Sequence, residues 1–117
     1  MNIEEFHAYC IAKKGVSESF PFDNETLVMK VMGKMFALTN VEQFNSINLK
    51  CDPEKAIELR EAYAAVKPGY HMNKKHWNTV SVHLDANDDL IYQWIDDSYD
   101  LVVKTLTKKQ KEELNLQ

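Results

Sequence analysis

TLVMKVMGKMFALT, residues 26–39, contains two runs of strand-forming residues that are separated by a single glycine. The side chains of the first run, 26–32, fall into two alternating sets, one of which is wholly apolar, as in a β-strand with a buried face. Gly33 follows where a type II′ turn requires a positive φ angle, and residues 35–39 continue as a partner strand. The segment therefore predicts a two-residue β-hairpin within an antiparallel sheet.

Upstream of the hairpin, residues 2–14 carry the signals of an amphipathic helix. The Asn2 side chain is placed to accept a hydrogen bond from the Glu5 amide, and the Glu5 carboxylate to reach back, as in a capping box. Apolar residues then recur at helical spacing, and Gly15 can adopt the left-handed conformation that ends a helix. Residues 16–25, VSESFPFDNE, are predicted to form a loop.

Downstream of the hairpin, the pattern predicts two more strands and a second helix. Residues 45–51 and 77–84 each show the alternation of a strand. Asp52 followed by Pro53 predicts a helix start, because the aspartate can cap the helix and proline is tolerated at its first position. The buried stripe of this helix is predicted to run to Val66.

Two later helices are predicted from their caps and apolar spacing. Asn87 precedes a stripe at three- and four-residue spacing that begins at Ile91. Thr107 and Gln110 form a capping box for a short last helix. The predicted order is α-β-β-β-α-β-α-α, an antiparallel sheet backed by helices in the α+β class. The length and composition fit one domain, residues 1–117.

Composition limits the classes of function that the sequence supports. The chain has 27% charged residues and a net charge of −4, which argues against strong nucleic-acid binding by the whole surface but allows a local basic patch. No run of about eighteen apolar residues is present and the N-terminal residues lack an apolar secretion core, so no membrane span and no signal peptide are expected. Cys10 and Cys51 are typical of a reduced, cytoplasmic protein.

Motifs for several kinds of chemistry are absent, so no catalytic residue and no cofactor is expected. The three glycines form no phosphate-binding loop of the G-x-x-x-x-G-K or G-x-G-x-x-G type. Neither cysteine has a histidine placed as its base, and both fit better as packed small apolar residues. The protein is therefore expected not to be an enzyme.

Two groups of residues contain side chains that bind metals elsewhere, and neither predicts a site here. His71 and His76 are five residues apart across a predicted loop, which matches no zinc-ligand spacing. Six aspartates between residues 85 and 100 form an acidic run on and before the third helix. Asp88 and Asp89 suit the positive helix start, and the later aspartates fit a solvated helix face better than a hard-cation site.

KPGYHMNKKHWNTVSVHLD, residues 67–85, concentrates three lysines, three histidines, a tyrosine and a tryptophan in an acidic chain. The lysines can neutralise phosphates, the histidines and Asn73 can form hydrogen bonds, and Tyr70 and Trp77 offer flat faces for stacking. Basic residues interleaved with aromatic ones favour a nucleic-acid contact. The alternative is that Tyr70 and Trp77 anchor the loop to the core, while the lysines only keep it in solution.

Four segments resemble the MmcQ/YjbR family: GYHMNKKHWNTVSV, IDDSYDLVVKTLTKKQKEEL, GKMFAL and NLKCDPEKAIELREAY. The resemblance covers essentially the whole chain, and HMNKKHW is its most specific part. It implies a CyaY-like fold, in which helices back a sheet, and DNA binding through a double-wing arrangement of β-hairpins. A CyaY-like fold is also that of the iron-handling frataxins, which use an acidic helix ridge. The acidic residues of this chain cluster on the third helix instead of the first.

The sequence therefore predicts a small cytoplasmic protein that binds nucleic acid, expected to be duplex DNA, weakly and without sequence specificity. Lys67, Lys74 and Lys75 are expected to contact the phosphate backbone, with the hairpin around Lys30 and Lys34 as a second contact. The alternatives are a protein-interaction module that docks a partner on the acidic third helix, and a frataxin-like metal-binding protein. The predicted nucleic-acid-binding residues are Lys30, Lys34, Lys67, Tyr70, His71, Asn73, Lys74, Lys75, His76 and Trp77.

Overall fold

The computed structural model describes residues 1–70 and 72–117, which form four helices and six strands. His71, one of the predicted site residues, lies outside the described residues. The strands form one antiparallel sheet in the order β1-β2-β3-β4-β6-β5, so the predicted α+β class is confirmed. The elements are α1 (Ile3–Ile11), β1 (Val16–Ser19), β2 (Thr26–Val31), β3 (Lys34–Asn40), β4 (Ser46–Lys50), α2 (Pro53–Ala62), β5 (Val66–Pro68), β6 (Trp77–Ser81), α3 (Asp88–Lys104) and α4 (Lys108–Asn115).

The four helices pack on one side of the sheet, here named the covered face. Phe6 of α1, Leu59 of α2, Ile95 of α3 and Leu114 of α4 belong to the same buried cluster as Met29 of β2. Removing these apolar side chains from water is the main driving force for this arrangement, at about 25 cal/mol for each Å² buried. The helices therefore form one layer over the sheet.

The opposite side of the sheet, here named the open face, is not covered by any helix of the described residues. Its small apolar cluster consists of Val28, Leu38 and Trp77, with Met35 and Met72 packed beside it. Directly opposed residues of neighbouring strands project to the same side, so the register assigns each strand residue to a face. One row that crosses the whole open face is Ser19, Val28, Leu38, Asn48, Thr79 and Lys67.

The predicted β2–β3 hairpin is present, but its turn lies one residue earlier than the predicted Gly33-Lys34 and is of a different type. Val31 pairs with Lys34, so Met32 and Gly33 are the two turn residues. Both have positive φ angles, 49° for Met32 and 82° for Gly33, which is typical of a type I′ turn and not of the predicted type II′ turn. The Met32 amide is held in this conformation by a 3.0 Å hydrogen bond to the Gly15 carbonyl.

A β-bulge in β3 is bound by a buried hydroxyl group of α3. The register between β2 and β3 shifts at this point, and Phe36 is left without a partner on β2. Ser98 Oγ donates a 2.6 Å hydrogen bond to the Phe36 carbonyl and accepts a 2.9 Å bond from the Lys50 amide at the end of β4. Ser98 is completely buried, so a single hydroxyl group joins α3 to two strands away from water.

The helix starts agree with the sequence prediction. The side chains of Asn2, Asp52, Asn87 and Thr107 each accept a hydrogen bond from a backbone amide in the first turn of the following helix. Helix α1 nevertheless ends at Ile11, three residues before its predicted end, because the next amides close a tighter turn that leads into β1. No helix within the described residues combines the length and apolar character needed to span a membrane.

Strand β1 forms inside the segment that the sequence predicts to be a loop. Its four residues, VSES, pair with β2 at one edge of the sheet, Val16 opposite Val31 and Ser19 opposite Val28. An edge strand needs only one hydrogen-bonded neighbour, and here only Val16 supplies an apolar side chain. The strand is therefore determined by its partner and not by its own composition.

Strand β5 replaces the predicted last turn of α2. The Asp85 carboxylate accepts hydrogen bonds from the Ala64 and Ala65 amides, both of 2.8 Å, and these bonds hold the pKa of Asp85 below its ordinary value. The two amides are thus withdrawn from the helix, which ends at Ala62. Val66 then pairs with Val80 in the sheet, so the predicted order gains a strand before β6 as well as one before β2.

Strand β6 ends three residues earlier than predicted. His83 has a φ angle of 66°, in the left-handed region that interrupts a strand. The predicted apolar set of Val80, Val82 and Leu84 is therefore divided: the two valines are buried, whereas Leu84 is 60% exposed.

We expect Ser98→Ala to destabilise the fold by about 2 kcal/mol, because the Phe36 carbonyl and the Lys50 amide both lose a buried partner. Urea unfolding followed by circular dichroism measures this change as a lower midpoint at an unchanged slope. Ser17→Ala, which removes an exposed hydroxyl group on β1, is the matched control and should change the stability by less than about 0.5 kcal/mol. Equal effects of the two substitutions would show that the Ser98 hydroxyl group is not an essential link.

Candidate nucleic-acid interface

The strand residues of the open face include basic side chains and no acidic ones. The register places Lys30, Lys50 and Lys67 on this face, opposite Met35, Trp77 and Thr79 respectively. The other strand positions on the open face carry apolar, hydroxyl or amide side chains. The strand positions of this face are therefore positive although the whole chain has a net charge of −4, and the carboxylates of Asp23 and Glu25 lie beside Thr26 and Asn40 at the opposite end of the face from Lys67.

Residues 69–70 and 72–76, here named the crossing segment, belong to the connection between β5 and β6, and Tyr70 and Met72 lie over the open face. The Gly69 amide donates a 2.8 Å hydrogen bond to the Trp77 carbonyl, and the Tyr70 amide donates one of 2.8 Å to Thr79 Oγ1. Met72 packs against the apolar cluster of the open face. A Cβ atom on Gly69 would lie 2.9 Å from the Trp77 carbonyl oxygen, so this close approach requires glycine.

Asn73 organises the far end of the crossing segment. Its side-chain oxygen accepts a 2.9 Å hydrogen bond from the Lys75 amide, and its carbonyl accepts bonds from the His76 and Trp77 amides. The His76 carbonyl in turn accepts a 2.7 Å bond from the Cys51 amide after β4. Asn73 and His76, both predicted to contact nucleic acid, thus also shape the loop that carries the lysines.

Arg60 of α2 fastens the crossing segment to the rest of the molecule. Its Nε atom donates a 2.6 Å hydrogen bond to Asn78 Oδ1, and its guanidinium group also donates to the carbonyls of Lys74 and Trp77. Asn78 is buried on β6. Arg60 is not among the predicted site residues, although it is the only arginine of the chain and such a residue suits a site that needs several donors in one plane.

The two aromatic residues predicted for stacking have different environments. Trp77 is only 8% exposed and packs with Val28 and Leu38, so it anchors the crossing segment as the alternative interpretation held. Tyr70 is 69% exposed and presents its ring to solvent. The structure thus leaves one of the two rings accessible to a base.

Lys67, Lys74 and Lys75 are exposed. The register places Lys67 on the open face, whereas Lys74 and Lys75 lie in the crossing segment, where Arg60 of α2 donates to the Lys74 carbonyl. Among residues 1–70 and 72–117, no acidic group lies within the 4.0 Å of an ion pair from any of these three ammonium groups. These charges are therefore available to an anion.

The second predicted contact, the hairpin lysines, does not form one surface. Lys30 lies on the open face, where it pairs with Met35. Lys34 lies on the covered side, and its ammonium group donates to the Thr105 carbonyl at the end of α3 over 3.2 Å. The strand alternation and the bulge place the two residues on opposite sides of the sheet, so only Lys30 shares the open face with Lys67.

The aspartates of α3 lie on the covered side of the sheet, and several are already bonded. Asp96 accepts hydrogen bonds from Lys13 Nζ at 2.5 Å and from the Tyr9 hydroxyl group at 2.8 Å. Burial and this bond to Asp96 together raise the pKa of Tyr9 to about 12. Asp88 binds the terminal amino group of Met1 at 2.8 Å. The acidic helix and the lysines of the open face thus occupy opposite sides of the molecule.

A groove of about 510 Å³ runs over the open face beside the crossing segment. Phe22, from the loop between β1 and β2, and Tyr70 contribute exposed rings, and they are 65% and 69% exposed. No charged side chain lines the groove within the described residues. Its lining consists of Phe22, Thr26, Leu38, Thr39, Asn40, Gln43, Asn45, Ser46, Asn48, Tyr70, Met72 and Thr79.

A second cavity, of about 280 Å³, lies between α2 and α3 on the covered side. Leu59, Trp94 and Leu101 line it together with Cys51. Burial, with the nearby Asp52 carboxylate, raises the pKa of the Cys51 thiol to about 11, which leaves little of the reactive thiolate near neutral pH. Within the described residues, no three His, Cys, Asp or Glu side chains are grouped so that they could hold a metal ion.

The chain is similar in sequence and fold to several bacterial proteins. A family model described as YjbR matches residues 11–101. The uncharacterized protein YjbR of Escherichia coli K12 is 36% identical over 112 residues, which cover 95% of each chain, and the uncharacterized protein YbdF of E. coli O157:H7 is 41% identical over 79% of this chain and 76% of its own length. The crystal structure of protein DR2400 of Deinococcus radiodurans, with the family-model domain DUF419, has a TM-score of 0.90 at 40% identity and covers 97% of this chain and 88% of that one.

We expect Arg60→Lys to loosen the crossing segment without unfolding the sheet, because lysine keeps the charge but has no planar fork for the Asn78 side chain and two carbonyls. Hydrogen exchange of the His76 and Trp77 amides, followed by NMR, should become about tenfold faster, as the loss of a charge-assisted hydrogen bond implies. Lys55→Ala, on an exposed position of the same helix, is the control and should leave both amides protected. Unchanged exchange in Arg60→Lys would show that the crossing segment is held by its other bonds.

Proposed function

This chain belongs to the YjbR family, and we propose that it binds nucleic acid weakly through its open face and crossing segment. Lys67, Lys74 and Lys75 contact phosphates, and Lys30 extends the positive surface toward β2. Tyr70 supplies a ring on which a base can stack. Asn73, His76, Trp77 and Arg60 hold the crossing segment in the shape that presents these groups.

The observation that carries the proposal is a set of exposed lysines that form no ion pair. Among the described residues, Lys67 on the open face and Lys74 and Lys75 in the crossing segment have no acidic partner within 4.0 Å, whereas the aspartates of α3 lie over the covered face. A cation that is already paired with a carboxylate would gain little from a phosphate, whereas an unpaired one releases condensed counterions when it binds. The arrangement therefore favours a polyanion on the open face and disfavours one on the helices.

The number of lysines limits the affinity. Three phosphate contacts give a slope of about −2.7 for log affinity against log salt concentration on a duplex. The affinity at physiological salt is then on the order of 10⁻⁴–10⁻⁶ M, the range of nonspecific binding. Such contacts give no base preference by themselves, because phosphates carry no sequence information.

We expect the triple variant Lys67→Glu/Lys74→Glu/Lys75→Glu to lose binding to a labelled oligonucleotide in a fluorescence anisotropy titration. The affinity of the wild-type protein should fall about 40-fold between about 50 and 200 mM salt, and the variant should lose both the affinity and most of this dependence. The matched control is Lys108→Glu/Lys109→Glu/Lys111→Glu, which makes the same change in net charge on exposed residues of α4. The two variants distinguish the effect of the local lysines on affinity from the effect of the net charge. Equal losses of affinity in both variants would contradict the proposed surface.

A second candidate function is the docking of a basic partner protein on α3. Asp97 and Asp100 are exposed and line the covered-side cavity together with apolar side chains and with Lys50, Lys55 and Lys104, so a partner would need one apolar anchor and basic residues placed beside the two aspartates. In this case Asp97→Asn/Asp100→Asn should abolish the capture of a partner from nuclease-treated extract, and the Lys67/Lys74/Lys75 variant should capture it normally. Loss of the partner on nuclease treatment alone would instead favour the nucleic-acid interface.

A further inference from the structure

We infer that the uncharged groove on the open face holds one unpaired nucleobase, so that the protein prefers single-stranded to duplex nucleic acid. The inference rests on the proposed function and adds the class of nucleic acid and the role of the groove. A groove of about 510 Å³ lies within the range of roughly 300–1,000 Å³ that small-molecule sites occupy.

The lining of the groove matches the hydrogen-bonding edge of a neutral base. Side-chain amides carry both donors and acceptors, as the edges of bases do. In the described part of the chain, the side-chain amides of Gln43 and Asn45 have no protein partner within hydrogen-bonding distance. Asn48 uses its oxygen to accept a bond from Thr79 Oγ1, and its amino group has no acceptor among the same residues. These three amides are therefore free to bind the edge of a base.

The exposed rings of the groove fit the flat faces of a base. Phe22 and Tyr70 are 65% and 69% exposed, which is a large apolar area to leave in water in a domain of this size. Stacking of a base on such rings is tolerant of sequence, in agreement with the weak specificity of the phosphate contacts. One ring belongs to the β1–β2 loop and the other to the crossing segment, so both can contact a ligand in the groove.

The positions of the lysines relative to the groove favour a nucleic acid over an uncharged sugar. Lys67 pairs with Thr79, which lines the groove, so Lys67 lies one strand, or about 5 Å, from the edge of the groove. A strand that places a base in the groove can therefore bring a neighbouring phosphate to Lys67. The groove itself carries no charge, so it suits the base and not the phosphate.

Base pairing decides which nucleic acid can use this site. In a duplex the Watson–Crick edges and the faces of the bases are occupied by pairing and stacking, and a base enters a pocket on a sheet only when it is unpaired. A duplex can still contact the lysines through its phosphates. The structure thus assigns phosphate binding to the lysines and the preference for single strands to the groove.

The test compares a labelled 15-nucleotide single strand with its duplex, titrated with the wild-type protein and with Phe22→Ala/Tyr70→Ala at low salt. The wild-type protein should bind the single strand several-fold more tightly than the duplex. The double variant should lose about tenfold or more in single-strand affinity, and keep its duplex affinity and its salt slope. Both residues are exposed, so the urea midpoint should not change. Ile57→Ala/Leu84→Ala, which removes two exposed apolar side chains outside the groove, is the matched control and should bind as the wild-type protein does.

The outcomes distinguish the groove from the lysines. Equal binding of single strand and duplex by the wild-type protein, with both weakened in the Lys67/Lys74/Lys75 variant, would overturn the groove inference and leave the proposed function standing. Absence of binding to either nucleic acid would overturn the proposed function itself. A wild-type dimer in sedimentation that dissociates in Phe22→Ala/Tyr70→Ala would assign the groove to a second copy of the chain and also overturn the inference.

Discussion

The buried hydroxyl group of Ser98 is the constraint on which the two-sided character of this molecule depends. It satisfies the Phe36 carbonyl at the β3 bulge and the Lys50 amide at the end of β4, and neither group has water as an alternative partner. Helix α3 is thereby fixed on the covered face together with the aspartates that it carries. Because these carboxylates are held away from the open face, the lysines on that side form no ion pair with them, and the carboxylate that interacts electrostatically with Lys67 is Asp85, beside the start of β5.

Most of the fold could be predicted from local signals, and the parts that could not depend on distant partners. The helix caps and the β2–β3 hairpin are determined by residues a few positions apart, so their patterns are visible in the sequence. Strand β1 contains a single inward apolar residue, and it forms because β2 offers an unpaired edge. Likewise, α2 stops at Ala62 because Asp85, more than twenty residues later, binds the next amides. No window of sequence contains both partners of such a contact.

The candidate site was predicted in part, for similar reasons. Charge is visible in the sequence, so the concentration of lysines at residues 67–75 was found. Solvent exposure is not visible in the sequence. Both Tyr70 and Trp77 were predicted to stack on bases, but Trp77 is buried and only Tyr70 is exposed. The groove was missed because its polar side chains come from different strands and are ordinary amides and hydroxyl groups. Asn48 and Thr79 are thirty-one residues apart and meet only through the pairing of β4 with β6.

The negative charge of the whole chain and a positive binding surface are compatible because salt limits the range of electrostatic forces. At physiological salt the Debye length is about 8 Å, whereas the molecule is at least 26 Å across, so the aspartates of α3 hardly influence a phosphate at Lys67. At about 0.01 M salt the Debye length is about 30 Å, and the net charge of −4 then opposes the approach of a polyanion. Lower salt therefore strengthens each lysine–phosphate contact. At the same time it strengthens the repulsion between the phosphates and the carboxylates on the covered side of the molecule. The affinity that the open face alone provides is consequently observed at moderate salt, because there only the groups on the open face act on the bound strand.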